Sequence, residues 1–486
     1  MLKTIKIIFI QLHKITGSIL SILFLVWFVS GIVLIFEGFP HADKEQNFHN
    51  LTPFTAQQFT TIKPPLQSWK GRVNLEMCDG KPIYRNYTKD GKQCIFDAKT
   101  LTTIDTFSED YARRLVSATI KAPIEKIEII NDFDSWIPWS HFEAYFPILK
   151  CYMNDSKHTI LYVSQKTGEI VQETNRAKRW AARCGAIPHW IYFKQIRLQR
   201  GLWIDLVIWL SFIGIIASIT GIVVGFIRQK RGKGITPYKK PMYKWHHITG
   251  YIFGVFVFTF ILSGFFSLAR IPNWMVFVSE DQQPSISWNQ PTDMSMHSTV
   301  APAKIWDALK TKNNIRKITW KSIHNQPCFF VYGNDYKVPE VYVMKDDSIY
   351  QKPLLTKTTV ENLANRYLNG QPYELCVQNK YDNYYNSTSK RFLPLPVYKL
   401  KIDNEAQTWL YIDPKTGEEI RRYSKNNRLQ RWLYQGLHKF NLKWFDSSTD
   451  WLRKLLLILL SLGGIVVSVT GVWLSVIWIK RVGKKN

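Results

Sequence analysis

The sequence of 486 residues has few cysteines, and their spacing is uninformative for metal binding. The six cysteines form no Cys-x-x-Cys and no Cys-x-x-Cys-His, which argues against c-type haem attachment, common iron–sulfur clusters and a zinc ribbon. Cys78 and Cys94 flank hairpin-like sequence and could pair in an oxidising compartment, or could remain free thiols. The sequence also lacks a P-loop, a His-Glu-x-x-His pair, a nucleophile elbow and a Gly-x-Gly-x-x-Gly with an acidic ribose ligand. These absences leave no usual signature of hydrolytic, zinc-dependent or nucleotide-binding chemistry.

Acidic residues are also scarce, since 37 Asp and Glu face 64 Lys and Arg and leave a net charge of +27. Such a balance can indicate nucleic-acid binding, but here the densest basic clusters flank four apolar runs, each long enough to cross a bilayer. The runs are 15–36, 202–227, 248–268 and 455–479. The basic clusters are Lys3, Lys6 and Lys14; Arg228, Lys230, Arg231, Lys233, Lys239, Lys240 and Lys244; and Lys480, Arg481, Lys484 and Lys485. We therefore predict a multi-pass protein of the lipid bilayer with no nucleic-acid partner.

The positive-inside rule predicts the orientation of the spans. Both termini and the short basic loop are expected in the cytoplasm, and the two long polar segments outside. The first run is too long for a signal-peptide core and no small-residue cleavage site follows it, so we expect a retained helix. The predicted units begin with the N-terminus and first span, 1–37, the first external domain, 38–175, and an interfacial helix with the second span, 176–228. A basic loop, 229–244, leads to the third span, 245–269, and the second external domain, 270–424. An interfacial helix with the fourth span, 425–480, and a tail, 481–486, follow.

The sequence repeats itself. In both the first and the third span, a histidine is followed by Thr at +3, Gly at +4, Ser at +17 and Gly at +18. The residues are His13, Thr16, Gly17, Ser30 and Gly31 in the first span, and His246, Thr249, Gly250, Ser263 and Gly264 in the third. The second and fourth spans share "SITGIVVGF" and "SVTGVWLSV", and the polar segments share a two-strand pattern that ends in Lys-Thr-Gly. We predict two copies of one unit in the same orientation, related by an axis along the membrane normal.

Four histidines are matched by this repeat. His13 and His246 lie at the cytoplasmic ends of the first and third spans, while His189 and His438 precede the second and fourth spans on the outer side. Pro188 is expected to break the helix, so that His189 caps a short helix at the outer surface. Intramembrane ionisable residues are functional-site candidates, and facing imidazoles suit the axial positions of a six-coordinate b-type haem. We predict one haem between each pair, with the histidines as ligands of the iron.

Glycines and further histidines complete the candidate site. On an ideal helix, Gly31 and Gly264 share a face with the span histidines, and Gly17 and Gly250 lie one turn from them; the alternative is close helix packing. His247 could bind a haem propionate or replace His246 as the ligand. His141 is a weak candidate for the external site. The remaining histidines are interpreted as surface residues: His41, His49, His158, His297 and His324.

Several stretches together resemble the PepSY-associated transmembrane family, which includes siderophore-iron reductases of the bacterial inner membrane. They are the His-x-x-Thr-Gly openings, "RWLYQGLH", "YDNYY" with "LPLPVY", and "YIDPKTGEEI". The resemblance covers almost the whole chain. It implies a membrane α plus α/β fold, in which four transmembrane helices in two parallel repeats hold two b-type haems and each repeat carries a periplasmic PepSY-like domain. His189 matches this pattern less well than His438, because its flank is "IPHW".

The resemblance also implies an activity. Electrons would pass from a cytoplasmic flavin or flavoprotein to a ferric siderophore or another ferric chelate in the periplasm, with release of Fe(II). Aromatic residues of the external segments could stack on the chelate or anchor the domains at the headgroup layer; they are Trp136, Trp139, Tyr384 and Tyr385. The alternatives are a b-type cytochrome that exchanges electrons with quinone or a periplasmic partner, a non-enzymatic iron or haem uptake component, and external binding modules on anchoring helices.

Overall fold

The computed structural model describes residues 2–482 apart from 89–91, 230–233, 269–287, 290–291, 293, 388–391 and 446–447. The basic residues predicted at 230, 231 and 233 and at 484 and 485 lie outside the described residues. The helices are α1 (Leu2–Phe36), α2 (Lys44–His49), α3 (Ala56–Phe59), α4 (Glu109–Thr119), α5 (Arg176–Cys184), α6 (Ala186–Trp190), α7 (Lys194–Leu198), α8 (Arg200–Arg228), α9 (Pro241–Leu268), α10 (Pro302–Ala308), α11 (Lys357–Tyr367), α12 (Lys425–Gln430), α13 (Leu437–Lys439) and α14 (Asp450–Val482).

Four of these helices, α1, α8, α9 and α14, are long and apolar enough to cross a membrane. They pack as a bundle in which α1 contacts α8 and α14, and α9 contacts the same two helices. Large apolar side chains such as Ile19 and Ile252 are exposed on the outside, whereas Ser30, Ser263 and Thr470 are buried inside. This inside-out distribution is that of a bundle in lipid, where small and polar residues mediate the helix contacts. The prediction of four membrane helices is confirmed.

The remainder of the chain contains fifteen strands in the described residues, and every described pairing is antiparallel. The strands are β1 (Arg72–Cys78), β2 (Lys81–Tyr87), β3 (Gln93–Asp97), β4 (Ile124–Ile130), β5 (Ile148–Met153), β6 (Ile160–Ser164), β7 (Ile170–Thr174), β8 (Lys317–Ile323), β9 (Gln326–Tyr332), β10 (Glu340–Lys345), β11 (Ser348–Gln351), β12 (Tyr373–Gln378), β13 (Val397–Ile402), β14 (Trp409–Ile412) and β15 (Glu419–Tyr423).

The two polar segments share one sheet. Its seven strands run in the order β11-β10-β9-β8-β1-β2-β3, so that β1 of the first segment pairs with β8 of the second, from Val73 opposite Trp320 to Glu76 opposite Lys317. Six of the seven residues of β1 are buried. Strand β1 would be an exposed sheet edge in an isolated first domain, and unpaired edges are unfavourable. The sequence predicted one external domain in each polar segment and gave no indication that a shared sheet would join the two segments.

Each segment also builds a four-stranded sheet of its own, β4-β5-β6-β7 in the first and β12-β13-β14-β15 in the second. Helix α4 packs on one face of the first sheet, where Val116 meets Leu149 and Leu161. The opposite face packs through Tyr162 against Leu34 of α1, together with residues of α5 and α6. This second face therefore points towards the helix bundle, and we call it the bundle-facing side of the sheet.

Three sequence-based interpretations of individual residues change here. The break before His189 falls at Gly185, with φ −112° and ψ −88°, whereas Pro188 lies inside α6. Proline is tolerated in a first helical turn because that turn needs no amide donor. His297 is fully buried and its Nε2 lies 3.4 Å from Ser322 Oγ, so it is not a surface residue.

His324 is only partly exposed as well, since its ring contacts Trp288 edge-on and its Nδ1 lies 3.1 Å from the hydroxyl of Tyr367. The six cysteines are free. Cys78 is opposite Lys81 and Cys94 is opposite Asn86, so the two are not cross-strand neighbours. Burial raises the pKa of the Cys78 thiol to about 11, which makes it unreactive at neutral pH.

Candidate functional site

One pair of imidazoles lies at the end of the bundle that carries the chain termini. We call His13 of α1 and His246 of α9 the terminus-side pair. Their ring centres are 6.2 Å apart and the rings are tilted by 30°. The Nδ1 atom of His13 lies 3.1 Å from the carbonyl oxygen of Ala217, and the Nδ1 atom of His246 lies 3.0 Å from Thr470 Oγ1. Each ring is therefore held by a different partner helix, α8 for His13 and α14 for His246.

A second pair lies at the opposite end of the bundle, next to the sheets. His189 of α6 and His438 of α13 form this sheet-side pair, with ring centres 6.1 Å apart and an angle of 64° between the rings. Serines of the long helices hold both rings: Ser30 Oγ is 3.1 Å from Nδ1 of His189, and Ser263 Oγ is 3.0 Å from Nδ1 of His438. His189 Nδ1 also lies 3.0 Å from the carbonyl oxygen of Trp27.

The hydrogen bonds determine which ring nitrogen carries the proton. Ser30, Ser263 and Thr470 already donate their hydroxyl protons to carbonyl oxygens of their own helices. Each hydroxyl oxygen can therefore only accept a hydrogen bond from its histidine. The carbonyl oxygens of Ala217 and Trp27 are also acceptors. Nδ1 is therefore the donor in all four rings. The Nε2 atoms then have a free lone pair, and within the described part of the chain none of them makes a hydrogen bond. A protonated, hydrogen-bonded Nδ1 beside a free Nε2 is the arrangement that metal-ligating histidines adopt.

The separation of the rings fits a metal between them. A metal–imidazole bond is about 2.0–2.1 Å and the ring centre lies about 1.1 Å behind the nitrogen, so two imidazoles on opposite sides of one metal have centres about 6.3 Å apart. The measured values are 6.2 and 6.1 Å. Among the described residues no group of three or more His, Cys, Asp and Glu could hold a metal ion. Two imidazoles leave most of a metal's coordination shell open, so a metal held by either pair would need further donors from another group.

Three of the four predicted glycines lie next to imidazoles, at distances that a Cβ would also tolerate. A Cβ at Gly31 would be 3.4 Å from Cε1 of His189, and one at Gly264 would be 3.9 Å from Cε1 of His438. A Cβ at Gly17 would be 3.9 Å from Cε1 of His13, whereas nothing lies within 4 Å of Gly250. The sequence associated Gly31 and Gly264 with the face of His13 and His246, but the structure places them beside the histidines of the other pair.

Two further glycines were missed by the sequence reasoning. A Cβ at Gly221 would lie 2.8 Å from Cε1 of His13, and one at Gly471 would lie 3.6 Å from Cε1 of His246. Both belong to the matched "SITG" and "SVTG" stretches, in which each glycine follows a buried threonine. The repeat therefore contained the signal, but it did not indicate which imidazole each glycine would contact.

The backbone is unusual at both sheet-side histidines. Two residues after each histidine the chain adopts the left-handed conformation, at Ile191 with φ 54° and at Phe440 with φ 46°. This conformation is costly for a β-branched or bulky residue, and such strain concentrates at functional sites. The stretch Arg431–Gly436 forms a π-helical turn directly before His438, and π-turns are also frequent at such sites.

His247 faces away from the pair. Its Nε2 lies 3.3 Å from the carbonyl oxygen of Gly225, and its ring contacts Tyr238 and Tyr251. Its buried Nδ1 has no partner among the described residues. The structure thus brings His246, not His247, together with His13, and leaves His247 with one unused ring nitrogen.

The aromatic residues proposed to stack on a substrate do not form one exposed surface. Trp136 is buried against Phe39, and Tyr385 is fully buried with its hydroxyl donating to the Pro394 carbonyl at 2.7 Å. The prediction of a stacking role does not hold for these two rings, because neither has a free face.

Other candidates remain partly or fully exposed. Trp139 is half-buried between Phe39 and Tyr192, and the exposed His141 stacks beside it at 6.0 Å. The hydroxyl of Tyr384 accepts a hydrogen bond of 2.8 Å from the indole of Trp432. Of the five predicted candidates, Trp139, His141 and Tyr384 are thus the ones that keep accessible surface for a binding partner.

Comparison with known proteins agrees with this architecture. The family model described as the PepSY-associated TM region matches residues 10–481. None of the curated proteins and none of the solved structures compared with the chain matches it. The match runs from within the first turns of α1 to the last turn of α14 and includes all four paired histidines. The chain therefore belongs to the PepSY-associated transmembrane-region family.

Proposed function

We propose that the protein is a di-haem transmembrane reductase that delivers electrons to a ferric chelate. The observation that carries the proposal is the pairing of four histidines at two levels, each pair with ring centres about 6 Å apart and with every Nδ1 engaged in a hydrogen bond. His13 and His246 would hold one haem b, and His189 and His438 the other. When bound, haem b supplies an iron that alternates between Fe(III) and Fe(II) by one electron.

The two pairs lie near opposite surfaces of the membrane. His13 and Ser30 are separated by 17 residues of α1, and His246 and Ser263 by 17 residues of α9. At about 1.5 Å per residue this is about 25 Å, most of the ~30 Å thickness of a hydrocarbon core. A packed cluster that includes Phe28, Phe256 and Phe260 fills the space between the levels, and the Phe260 ring stacks on His438 at 4.8 Å. These side chains make the space between the two histidine pairs apolar.

The contacts around the histidines support two copies of one unit. Ser30 of α1 holds His189 in the same way that Ser263 of α9 holds His438. Repetition in the same orientation leaves the terminus-side pair on one face of the membrane and the sheet-side pair on the other. With the basic loop in the cytoplasm of a bacterium, the sheets would lie in the periplasm.

The reaction requires no acid, base or nucleophile from the protein. A reduced flavin or flavoprotein in the cytoplasm would supply each electron at the terminus side. A ferric siderophore or other ferric chelate at the sheet side would take it up, and Fe(III) would become Fe(II), which binds weakly to a ligand set selected for ferric iron. The protein contributes the separation of the sites, the imidazole ligands and a dry interior.

An absorption spectrum of the purified protein tests this proposal. We expect a Soret band, α and β bands on reduction with dithionite, and about two haems b per chain in a pyridine haemochrome assay. A protein from haem-replete cells without a Soret band would refute the reductase proposal.

The terminal acceptor is tested in the same cuvette. Anaerobically reduced protein is mixed with a ferric siderophore and an Fe(II) indicator. Reoxidation of the haem with formation of Fe(II) supports the reductase. Reoxidation by a quinone but not by ferric chelates would support the alternative of a b-type cytochrome.

A further inference from the structure

A second site lies away from the histidine pairs. A cavity of about 460 Å³ opens between the bundle-facing side of the first four-stranded sheet and α5. Tyr152 and Ile160 line it from the sheet. Helix α5 lines the opposite wall with Arg176, Arg179, Trp180 and Arg183. We call this cavity the arginine pocket.

The charge of the arginine pocket is strongly positive. Its three arginines are spaced i, i+3 and i+7 on α5 and therefore share one face of the helix. The lining includes one carboxylate, that of Glu125, which leaves an excess of positive charge. Guanidinium groups bind phosphate through two parallel hydrogen bonds, so a cluster of three is suited to a phosphate.

Arg179 is the central residue of the pocket. Its Nη2 donates to the carbonyl oxygen of His158 at 2.9 Å, but its Nη1, which is shielded from solvent, has no hydrogen-bond partner among the described residues. Burial lowers the pKa of Arg179, and the nearby Arg183 acts in the same direction. A partly buried cation without a counter-ion is unfavourable, and an anion in the pocket would offset that cost.

In the second half of the chain, a tryptophan side chain fills the space that corresponds to the arginine pocket. Ile160 lies opposite Tyr152 on the neighbouring strand, and Trp409 lies opposite Lys401 in the corresponding position of the second sheet. Arg428 donates to the carbonyl of Gln407, as Arg179 does to that of His158. The indole of Trp409 occupies the site, however, because the guanidinium of Arg428 is 4.1 Å from its ring centre. The pocket in the first half exists because a smaller Ile160 replaces this tryptophan.

The position of the pocket indicates the source of the anion. Helix α5 contacts α1 near its sheet-side end and is connected by α6 and α7 to α8, so it lies where the helices leave the membrane. The Trp180 side chain is 56% exposed, and tryptophan concentrates at the headgroup level of a bilayer. The guanidinium of Arg183 lies 5.2 Å from the Trp180 ring centre, next to the opening. Basic pockets at this depth bind phospholipid headgroups.

We propose that the arginine pocket binds the phosphate of an acidic phospholipid from the leaflet next to the sheets. The lipid neutralises Arg179 and anchors the first four-stranded sheet to the membrane, close to His189. The second sheet needs no such lipid because Trp409 fills the equivalent space. The proposal is independent of haem binding, and it is tested with a different measurement.

Native mass spectrometry of the detergent-solubilised chain tests it, with phosphatidylglycerol as the ligand and phosphatidylcholine as the neutral control. We expect Arg179→Gln to weaken phosphatidylglycerol binding about tenfold or more, because it removes charge-assisted hydrogen bonds. Ile160→Trp should do the same without a change in charge, since it fills the pocket as Trp409 does. The matched control Arg428→Gln should bind the lipid as the wild type does.

Several outcomes would overturn the proposal. Equal binding by wild type, Arg179→Gln and Ile160→Trp would show that phosphatidylglycerol does not occupy the pocket. Displacement of the lipid by an equal concentration of inorganic phosphate would show that soluble phosphate is the ligand. Thermal unfolding of each variant distinguishes a lost site from a lost fold, and Ile160→Trp keeps the test valid if Arg179→Gln does not fold.

Discussion

The two histidine pairs have nearly the same ring separation, 6.2 Å at the terminus side and 6.1 Å at the sheet side, although different structures hold them. Both terminus-side histidines belong to long membrane helices, and their orientation follows from the packing of those helices. Both sheet-side histidines belong to short helical turns between a sheet and a membrane helix, and a left-handed residue follows each turn. Long helices therefore present imidazoles on regular backbone, whereas the connecting segments reach a similar ring separation with a strained left-handed residue after each histidine.

The largest effects are expected from the histidines themselves. His13→Ala and His438→Ala should each remove one haem, and each should abolish electron transfer, because the two sites act in series. The two imidazole pairs differ in ring angle, 30° against 64°, so the haem that would remain should have a different low-spin electron paramagnetic resonance spectrum in the two variants. Pyridine haemochrome counts and these spectra check the result. Loss of both haems in either folded variant would contradict independent sites.

The next largest effect is expected at one of the two glycines that contact the terminus-side pair, Gly221 rather than Gly471. Gly221→Ala should displace His13 and reduce occupancy of that site, because the new methyl would lie 2.8 Å from the imidazole Cε1. Overpacking of this kind costs about 1–3 kcal/mol. Gly471→Ala is the matched control, since its methyl would lie 3.6 Å from His246, an ordinary contact. Haem content and melting temperature of the two variants are compared, and equal losses would show that the approach at Gly221 is not limiting.

A smaller loss of haem affinity is expected for the two serines that hold the sheet-side pair, and it should differ between them. Ser263→Ala removes the hydrogen-bond acceptor of His438, and loss of such a partner typically lowers metal affinity about 10–100-fold. The carbonyl of Phe260 also lies near this ring, so we expect the lower end of that range. Ser30→Ala should have less effect, because His189 retains the Trp27 carbonyl at 3.0 Å. Rates of haem transfer to apomyoglobin measure both variants, and a greater loss in Ser30→Ala would reverse this ranking.

The smallest effect is expected at His247. His247→Ala should leave the haem count and the spectrum unchanged, because this ring faces Gly225 and the tyrosines rather than His13. Its closeness in sequence to His246 makes it a control for substitution at this level of α9. A spectrum altered as in His246→Ala would mean that His247 is the ligand.

Much of the bundle could be predicted from the sequence. The four apolar runs located the membrane helices, although α9 begins at Pro241, seven residues before its apolar run. Equal offsets in the first and third spans matched His13 with His246, and similar positions before the second and fourth spans matched His189 with His438. Local spacing suffices for these conclusions because the period of a helix determines which residues share a face.

The strand pairing of the two polar segments could not be predicted from the sequence. The pairing of β1 with β8 joins residues about 245 positions apart, for instance Asn74 with Thr319. No local pattern specifies such a partner, since any buried strand with an open edge has the same period of two. The arginine pocket likewise depends on a single difference between the halves, Ile160 against Trp409, whose effect appears only when the two sheets are compared.

The sequence by itself determined the number of membrane helices, the four repeated histidines and the family, because apolar length, offsets and motifs are local properties of the chain. The tertiary structure decided which helix holds each histidine ring, which glycine each ring contacts, and how the two polar segments join. Those outcomes depend on the rotation of each helix about its axis and on strand pairing across hundreds of residues. Both are set by the packing of the whole molecule rather than by any stretch within it.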